Sequence, residues 1–287
     1  MKTPEQLKGA IRNIAADKNL RPQEVLQMFL FERILERLAA SKYRNNFILK
    51  GGLLISSMIG VGNRTTMDMD TTVRGIRMEE ADIVAVIREI LEENVDDGIE
   101  FIYRKIEPIR EEDAYNNFRV SMDAIYGKIN APMKIDITTG DMITPAAVEY
   151  NYPFLFENKS VPVMAYSLET ILAEKYETII RRNIATTRAR DFYDLHTLFH
   201  SRREEIRLPV LELAVSNTAR KRGSFTELSE WKAIVQDIRD EKALELLWQN
   251  YTEINTYAAG LQFQEVVNTV EEIGTLLSLN SANDISL

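Results

Sequence analysis

The chain has 287 residues, enough for two domains with a sizeable core, and its 45% apolar and 28% charged residues make an ordinary globular balance. It contains no cysteine, which excludes disulfides, a thiolate zinc site and a cysteine nucleophile. A net charge of −9 argues against a protein that coats nucleic acid non-specifically, while leaving room for a local basic site. The start has no apolar leader and no stretch approaches about 18 uninterrupted apolar residues, so a soluble cytoplasmic protein is expected, with no membrane partner.

The first elements are predicted to be helical. Pro4-Glu5-Gln6 opens one helix, and Arg21-Pro22-Gln23-Glu24 opens a second that runs to about Ser41, with Val25, Met28, Phe29, Ile34, Leu35 and Leu38 at helical spacing. Phe47–Lys50 reads as a short strand, Leu53–Ile59 as a helix and Asp68–Arg74 as the next strand. Glu79–Asn94 returns to a helical period. From Ile99 the period becomes two, and Ile99–Ile109, Phe118–Ile125 and Met133–Thr138 read as strands, the last two joined by a turn-rich segment from Tyr126 to Pro132. Beyond the region of Pro153 and Pro162 nearly everything reads as helix to about Leu279, and Ser281–Leu287 as a frayed tail. The fold class is therefore α+β: residues 1–160 form a mixed sheet flanked by helices, and 161–287 a helical domain.

The chemistry concentrates at two places. Gly51-Gly52 ends the first strand, and Asp68-Met69-Asp70 follows at i, i+2, which on a strand puts both carboxylates on one face. A glycine pair at a strand-to-helix turn lets a phosphate approach backbone N–H groups, although glycine also serves such turns for steric reasons alone. In Lys134-Ile135-Asp136-Ile137-Thr138 the alternation sends Ile135 and Ile137 to a core and Asp136 to the other face, so Asp136 is either a third acid of the cluster or a solvated residue. Three carboxylates around Mg²⁺ would orient a triphosphate and neutralise leaving pyrophosphate. Lys50 reads as an exposed strand end.

The second place is helical. Leu168, Ile171, Leu172 and Ile179 define an apolar stripe on which Lys175 also falls, so this lysine must snorkel or meet an anion such as a phosphate. On the next helix Asp191 and Asp194 end an apolar stripe, where they either pair with nearby arginines or position Lys175 and a substrate. Arg181, Arg182, Arg188 and Arg190 form an arginine cluster directly before Asp191. His196 and His200 have the i, i+4 spacing of a zinc pair, but Thr197 stands where a zincin has Glu, so packing is the expected role.

The order Lys-Gly-Gly, Thr-Met-Asp-Met-Asp, a later strand aspartate, a helical lysine and Arg-x-Arg-Asp-Phe-Tyr-Asp resembles the AbiEii/AbiGii toxin family of nucleotidyltransferases, from about Arg21 to about Phe199. That likeness implies a minimal nucleotidyltransferase fold with an added helical domain. It also implies a toxin of a bacterial toxin–antitoxin or abortive phage-infection system, with an AbiEi-like antitoxin as partner. By the same likeness Gly51, Gly52 and Thr66 would line the triphosphate, Asp68 and Asp70 would hold Mg²⁺, and Asp136 would be the third acid. Lys175 would be the family's essential lysine and Asp191 the acid of its last motif, with Arg188, Arg190 and Asp194 beside the nucleotide. An NTP is the implied substrate and tRNA the implied acceptor. The alternatives are a GTP-binding or antitoxin-binding module without transfer activity, and transfer to a protein hydroxyl.

Overall fold

A computed structural model describes residues 3–109 and 117–277; the predicted tail at 281–287 lies outside the described residues. Two compact units emerge, one of residues 1–141 and 147–166, the other of residues 142–146 and 167–287.

The first unit begins with α1 (Pro4–Asp17), capped by Thr3 in a reciprocal capping box with Gln6, and α2 (Pro22–Ala40), which starts with proline where a missing N–H costs nothing. The strands and helices that follow are β1 (Phe47–Lys50), α3 (Gly51–Ile59), β2 (Met69–Val73), α4 (Glu80–Glu92), β3 (Glu100–Ile109), β4 (Asn117–Tyr126), β5 (Ile129–Thr139), β6 (Val148–Pro153) and β7 (Ser160–Ala165). Among the described residues they build one seven-stranded sheet in the order β3-β4-β5-β2-β1-β7-β6. The sheet is mixed: β1 runs antiparallel to β2 and parallel to β7, while β2 runs parallel to β5.

Alternation divides the two faces cleanly. Phe47, Leu49, Met69, Val73, Val120, Ile135 and Ile137 share one face and are all buried. The opposite face carries Lys50, Asp70, Asp136 and Arg119, each directly across from the next. α2 contacts β7 and α4, and α4 contacts β3. One buried charge in α2, Arg37, is neutralised by a forked pair to Asp97 at 2.6 and 2.7 Å and also donates to the Ile99 carbonyl.

Strands β6 and β7 fall in the proline-marked region to which the periodicity assigned no strand. The fold tolerates both prolines. Pro153 ends β6, the edge strand, and Pro162 precedes the part of β7 that pairs with β1 at Met164 and Ala165. The glycine pair also differs from expectation, because Gly51 and Gly52 are the first residues of α3, not a loop before it.

The second unit contains α5 (Leu168–Arg182), α6 (Ala189–Ser201), α7 (Leu208–Arg222), α8 (Phe225–Ser229), α9 (Trp231–Asp240), α10 (Lys242–Ile254) and α11 (Phe263–Leu276). Its core joins Leu172, Tyr176 and Ile180 of α5 to Leu195 and Phe199 of α6, Trp231 of α9, and Val266, Val270 and Ile273 of α11. The short segment at 142–146 is bound to the start of α5: the Thr144 carbonyl accepts from Ser167 Oγ at 2.8 Å and Thr170 Oγ1 at 3.0 Å. No helix among the described residues is long and apolar enough to cross a membrane.

Gly274 lets α11 lie close against its neighbours. A Cβ there would stand 2.6 Å from Trp231 Cε3 and 2.7 Å from Tyr176 Oη, both deeply buried. Gly274→Ala should therefore destabilise the protein by about 1–3 kcal/mol through overpacking, read as a lowered urea midpoint. An unchanged midpoint would mean that the Trp231 ring has room to move.

Candidate active site

The candidate site in the first unit grows from the junction of β1, α3 and β2. Gly51 adopts φ +66°, a left-handed conformation that glycine takes without a Cβ penalty. A Cβ on Gly51 would stand 2.1 Å from Asp70 Oδ2, so the carboxylate fills the space that a side chain would need. Gly52 is hemmed in likewise, its virtual Cβ 2.9 Å from Thr66 Oγ1 and 3.0 Å from Arg64 Nη2. The first turn of α3, whose N–H groups have no partner within the helix, is thus held beside Asp70 and Thr66.

The approach to β2 is organised by Thr66. Its hydroxyl donates to the Asp68 carbonyl at 3.1 Å and accepts from the Asp68 N–H at 3.3 Å. Arg64 is buried and donates to the Thr65 carbonyl, while Ser56 of α3 donates to the Arg64 carbonyl. Glu24 of α2 accepts from Thr65 at 2.9 Å. Asp70 lies on β2, on the same face of the sheet as Asp136, whereas Asp68, expected as the first residue of that strand, immediately precedes it.

Asp136 lies directly opposite Asp70 in the parallel β2–β5 pair. Its carboxylate is held by Arg119 of β4, with Nε donating to Oδ1 at 2.7 Å and Nη2 to Oδ2 at 2.6 Å. The hydrogen bonds from Arg119 to Asp136 pull the guanidinium further toward its charged form, and the charges of Asp68 and Asp70 act in the same direction. No three acidic or histidine side chains among the described residues converge as a metal-binding group. Asp68 and Asp70 nevertheless suit a hard divalent cation that is completed by phosphate oxygens and water.

Lys50, read from sequence as an exposed strand end, is instead largely buried. Its ammonium donates to Thr138 Oγ1 at 2.8 Å and to Asp141 Oδ2 at 2.6 Å, and Tyr166 Oη donates to the same Asp141 oxygen at 2.7 Å. Burial alone would raise the Asp141 pKa, but the Lys50 charge and the hydrogen bonds from Lys50, Tyr166 and Thr138 lower it to about 2. Neither Arg119 nor Lys50 stood out by residue type. A signal for Arg119 existed in the hairpin, because taking Gly127-Lys128 as a two-residue turn sets Tyr126 across from Ile129 and so Arg119 across from Asp136.

The second unit brings together the helical residues expected to act jointly. Lys175 of α5 donates to Asp191 Oδ1 at 2.6 Å and Asp194 Oδ2 at 2.9 Å, both on α6. The anion met by this lysine is thus formed by the chain's own acids. Burial alone would drive the ammonium neutral, yet the Asp191 and Asp194 charges raise its pKa above the ordinary lysine value. Asp191 is lowered despite burial by Lys175 and by Arg188, whose Nε donates to Asp191 Oδ2 at 2.6 Å. Arg190 is exposed, and Arg181 pairs with Glu177 at 2.9 Å. The two histidines stand apart from this cluster in role: His196 Nδ1 and His200 Nε2 share the Thr269 hydroxyl at 2.7 and 3.0 Å, a packing arrangement.

The family model described as the nucleotidyl transferase AbiEii toxin of type IV toxin–antitoxin systems matches residues 33–269. The chain belongs to this family. As a family member it is an enzyme, a nucleotidyltransferase of a type IV toxin–antitoxin system, and the family implies a nucleotide substrate and an antitoxin partner. Among solved structures, JHP933 from Helicobacter pylori is similar at 17% identity, covering 91% of this chain and 93% of that one with a TM-score of 0.48. A candidate nucleotidyltransferase from the same organism shows 18% identity over 90% of this chain and 97% of that one, with a TM-score of 0.48. Comparison with curated proteins gives no significant match.

Two predictions come from the geometry of this AbiEii-family site. Gly51→Ala should cost about 2 kcal/mol of stability, from the left-handed backbone and the overlap with Asp70; urea unfolding checks it, and a neutral result would contradict the stated contact. For Lys50→Met the effect depends on pH. Asp141 has a folded pKa of about 2 against an ordinary 3.8, so its stabilisation is present above pH 3.8 and is lost as pH falls toward 2. Lys50→Met should therefore destabilise by about 2 kcal/mol at pH 7 and by progressively less in urea melts between pH 4 and pH 2.5.

Proposed function

We propose that this AbiEii-family enzyme transfers a nucleoside monophosphate from an NTP to a hydroxyl of RNA, with tRNA as the acceptor class and Mg²⁺ as the metal. The observation that carries the reading is the held junction of Gly51 with Asp70, where the Asp70 carboxylate, two residues after Asp68, meets the first turn of a helix. Asp68 and Asp70 would hold the Mg²⁺, which when bound orients the triphosphate and offsets the charge of departing pyrophosphate. Backbone N–H groups of Gly51 and Gly52 donate to phosphate oxygens, and Thr66 fixes the loop that presents Asp68. The acceptor oxygen attacks the α-phosphorus as the bond to the bridging oxygen breaks, so positioning and charge stabilisation do most of the work.

In the helical unit, Lys175 serves as a fixed cation for a phosphate of substrate or acceptor, and Asp191 and Asp194 hold it in place. Its raised pKa suits that task and is wrong for a general base, which would have to be neutral near pH 7. Arg188 and exposed Arg190 would bind further phosphates of the nucleotide or RNA. The setting in this proposal is the bacterial cytoplasm, in abortive infection, with an AbiEi-like antitoxin restraining the enzyme.

Incubation with each of the four α-labelled NTPs, Mg²⁺ and total tRNA tests the reading. Label should enter tRNA, fall by at least about a hundredfold in Asp70→Asn and in Lys175→Met, and vanish with EDTA. Label on protein with none on RNA would redirect the proposal to a protein acceptor. Binding of NTP without any transfer would overturn it.

A further inference from the structure

Four charged side chains lie in register across one face of the sheet: Arg119 on β4, Asp136 on β5, Asp70 on β2 and Lys50 on β1. Two acids stand in the middle and a cation at each end. Lys50 donates to Thr138 and Asp141, and Arg119 closes a two-point fork on Asp136 within the row.

A forked guanidinium–carboxylate pair engages both oxygens of the acid. Lone pairs remain on Asp136, but any divalent cation bound there would sit against the Arg119 charge, and that repulsion is large at such short range. The three acids do not converge as a metal-binding group, which agrees with Asp136 being drawn toward β4. Mg²⁺ in phosphate-transfer sites commonly uses one or two carboxylates together with substrate phosphates, so a third acid is not required.

We infer that Arg119 is a positioning residue that withholds Asp136 from the metal, leaving the ion on Asp68 and Asp70 with its other positions open to phosphate oxygens and water. The inference rests on the metal-dependent reading above. Its functional consequence is a protein that binds divalent metal weakly alone and takes it up with the nucleotide, because the phosphates complete the coordination.

Titration of the full chain with Mn²⁺ alone, with free Mn²⁺ read by electron paramagnetic resonance, tests this without any turnover. Arg119→Ala should tighten Mn²⁺ binding about tenfold by releasing Asp136 and removing a nearby positive charge. Asp136→Asn, which leaves the Arg119 charge uncompensated beside Asp68 and Asp70, should weaken binding clearly less than Asp70→Asn does, and Arg119→Ala combined with Asp136→Asn should keep only the part of the gain that comes from removing the charge. Lys134→Met removes an exposed charge from the same strand face and should change affinity less than about twofold, which separates release of Asp136 from a general charge effect. Arg119→Lys, which keeps the charge but not the fork, should give a smaller gain and serves as the readout if the alanine variant does not fold.

Asp136→Asn weakening Mn²⁺ as much as Asp70→Asn would overturn the inference, as would an unchanged or weakened affinity in Arg119→Ala. Wild-type affinity unaffected by Asp70→Asn would instead sink the metal assignment to Asp68 and Asp70, while the Arg119 and Asp136 variants still report on the clamp. If no variant binds Mn²⁺, both readings fail.

Discussion

The contact between Gly51 and the Asp70 carboxylate constrains everything around it. The β1–β2 register sets Lys50 opposite Asp70, and the next residue must turn the chain out of the sheet and into α3. Only a residue without a side chain does this at φ +66° with a carboxylate in the space of its Cβ. The same turn sets the first residue of α3 against the Asp70 carboxylate. Backbone, helix dipole and carboxylates are therefore assembled by one local requirement, and Gly52 extends it to Thr66 and Arg64.

Electrostatics in both units follows a common logic. Three of the candidate cations are held by acids of their own unit: Lys50 by Asp141, Arg119 by Asp136, and Lys175 by Asp191 and Asp194. A buried lysine without such partners would lose its proton or move to water, since desolvation opposes charge. Pairing keeps it charged and fixed, which favours stabilising phosphate charge over shuttling protons. These pairs add little to stability compared with burying apolar groups, but removing one partner leaves the other costly. The acids therefore keep these positive charges present and in place.

Much of this was legible in the residues. Phe47–Lys50 is the strand that its apolar run predicts, and the alternation around Asp136 gave the correct face, while Asp68, read as the first residue of the next strand, falls just before β2. The i, i+7 position of Lys175 on an apolar stripe called for snorkelling or for an anion such as a phosphate, and the structure pairs it with Asp191 and Asp194. What was hidden depended on pairing between distant segments. Lys50 looked exposed because Asp141 and Tyr166 reach it from far along the chain. Arg119 became visible only through the hairpin register, and β6 and β7 were masked by prolines that an edge position and a strand start not yet paired with β1 accommodate.

The family and the charged row together make nucleotidyl transfer the central claim, as distinct from transfer of a terminal phosphoryl group. Parallel reactions with NTP labelled at the α- or the γ-phosphorus separate the two most directly. The account predicts that α-label appears in the acceptor while γ-label is released as pyrophosphate in equal amount. Recovery of γ-label in the acceptor would contradict it.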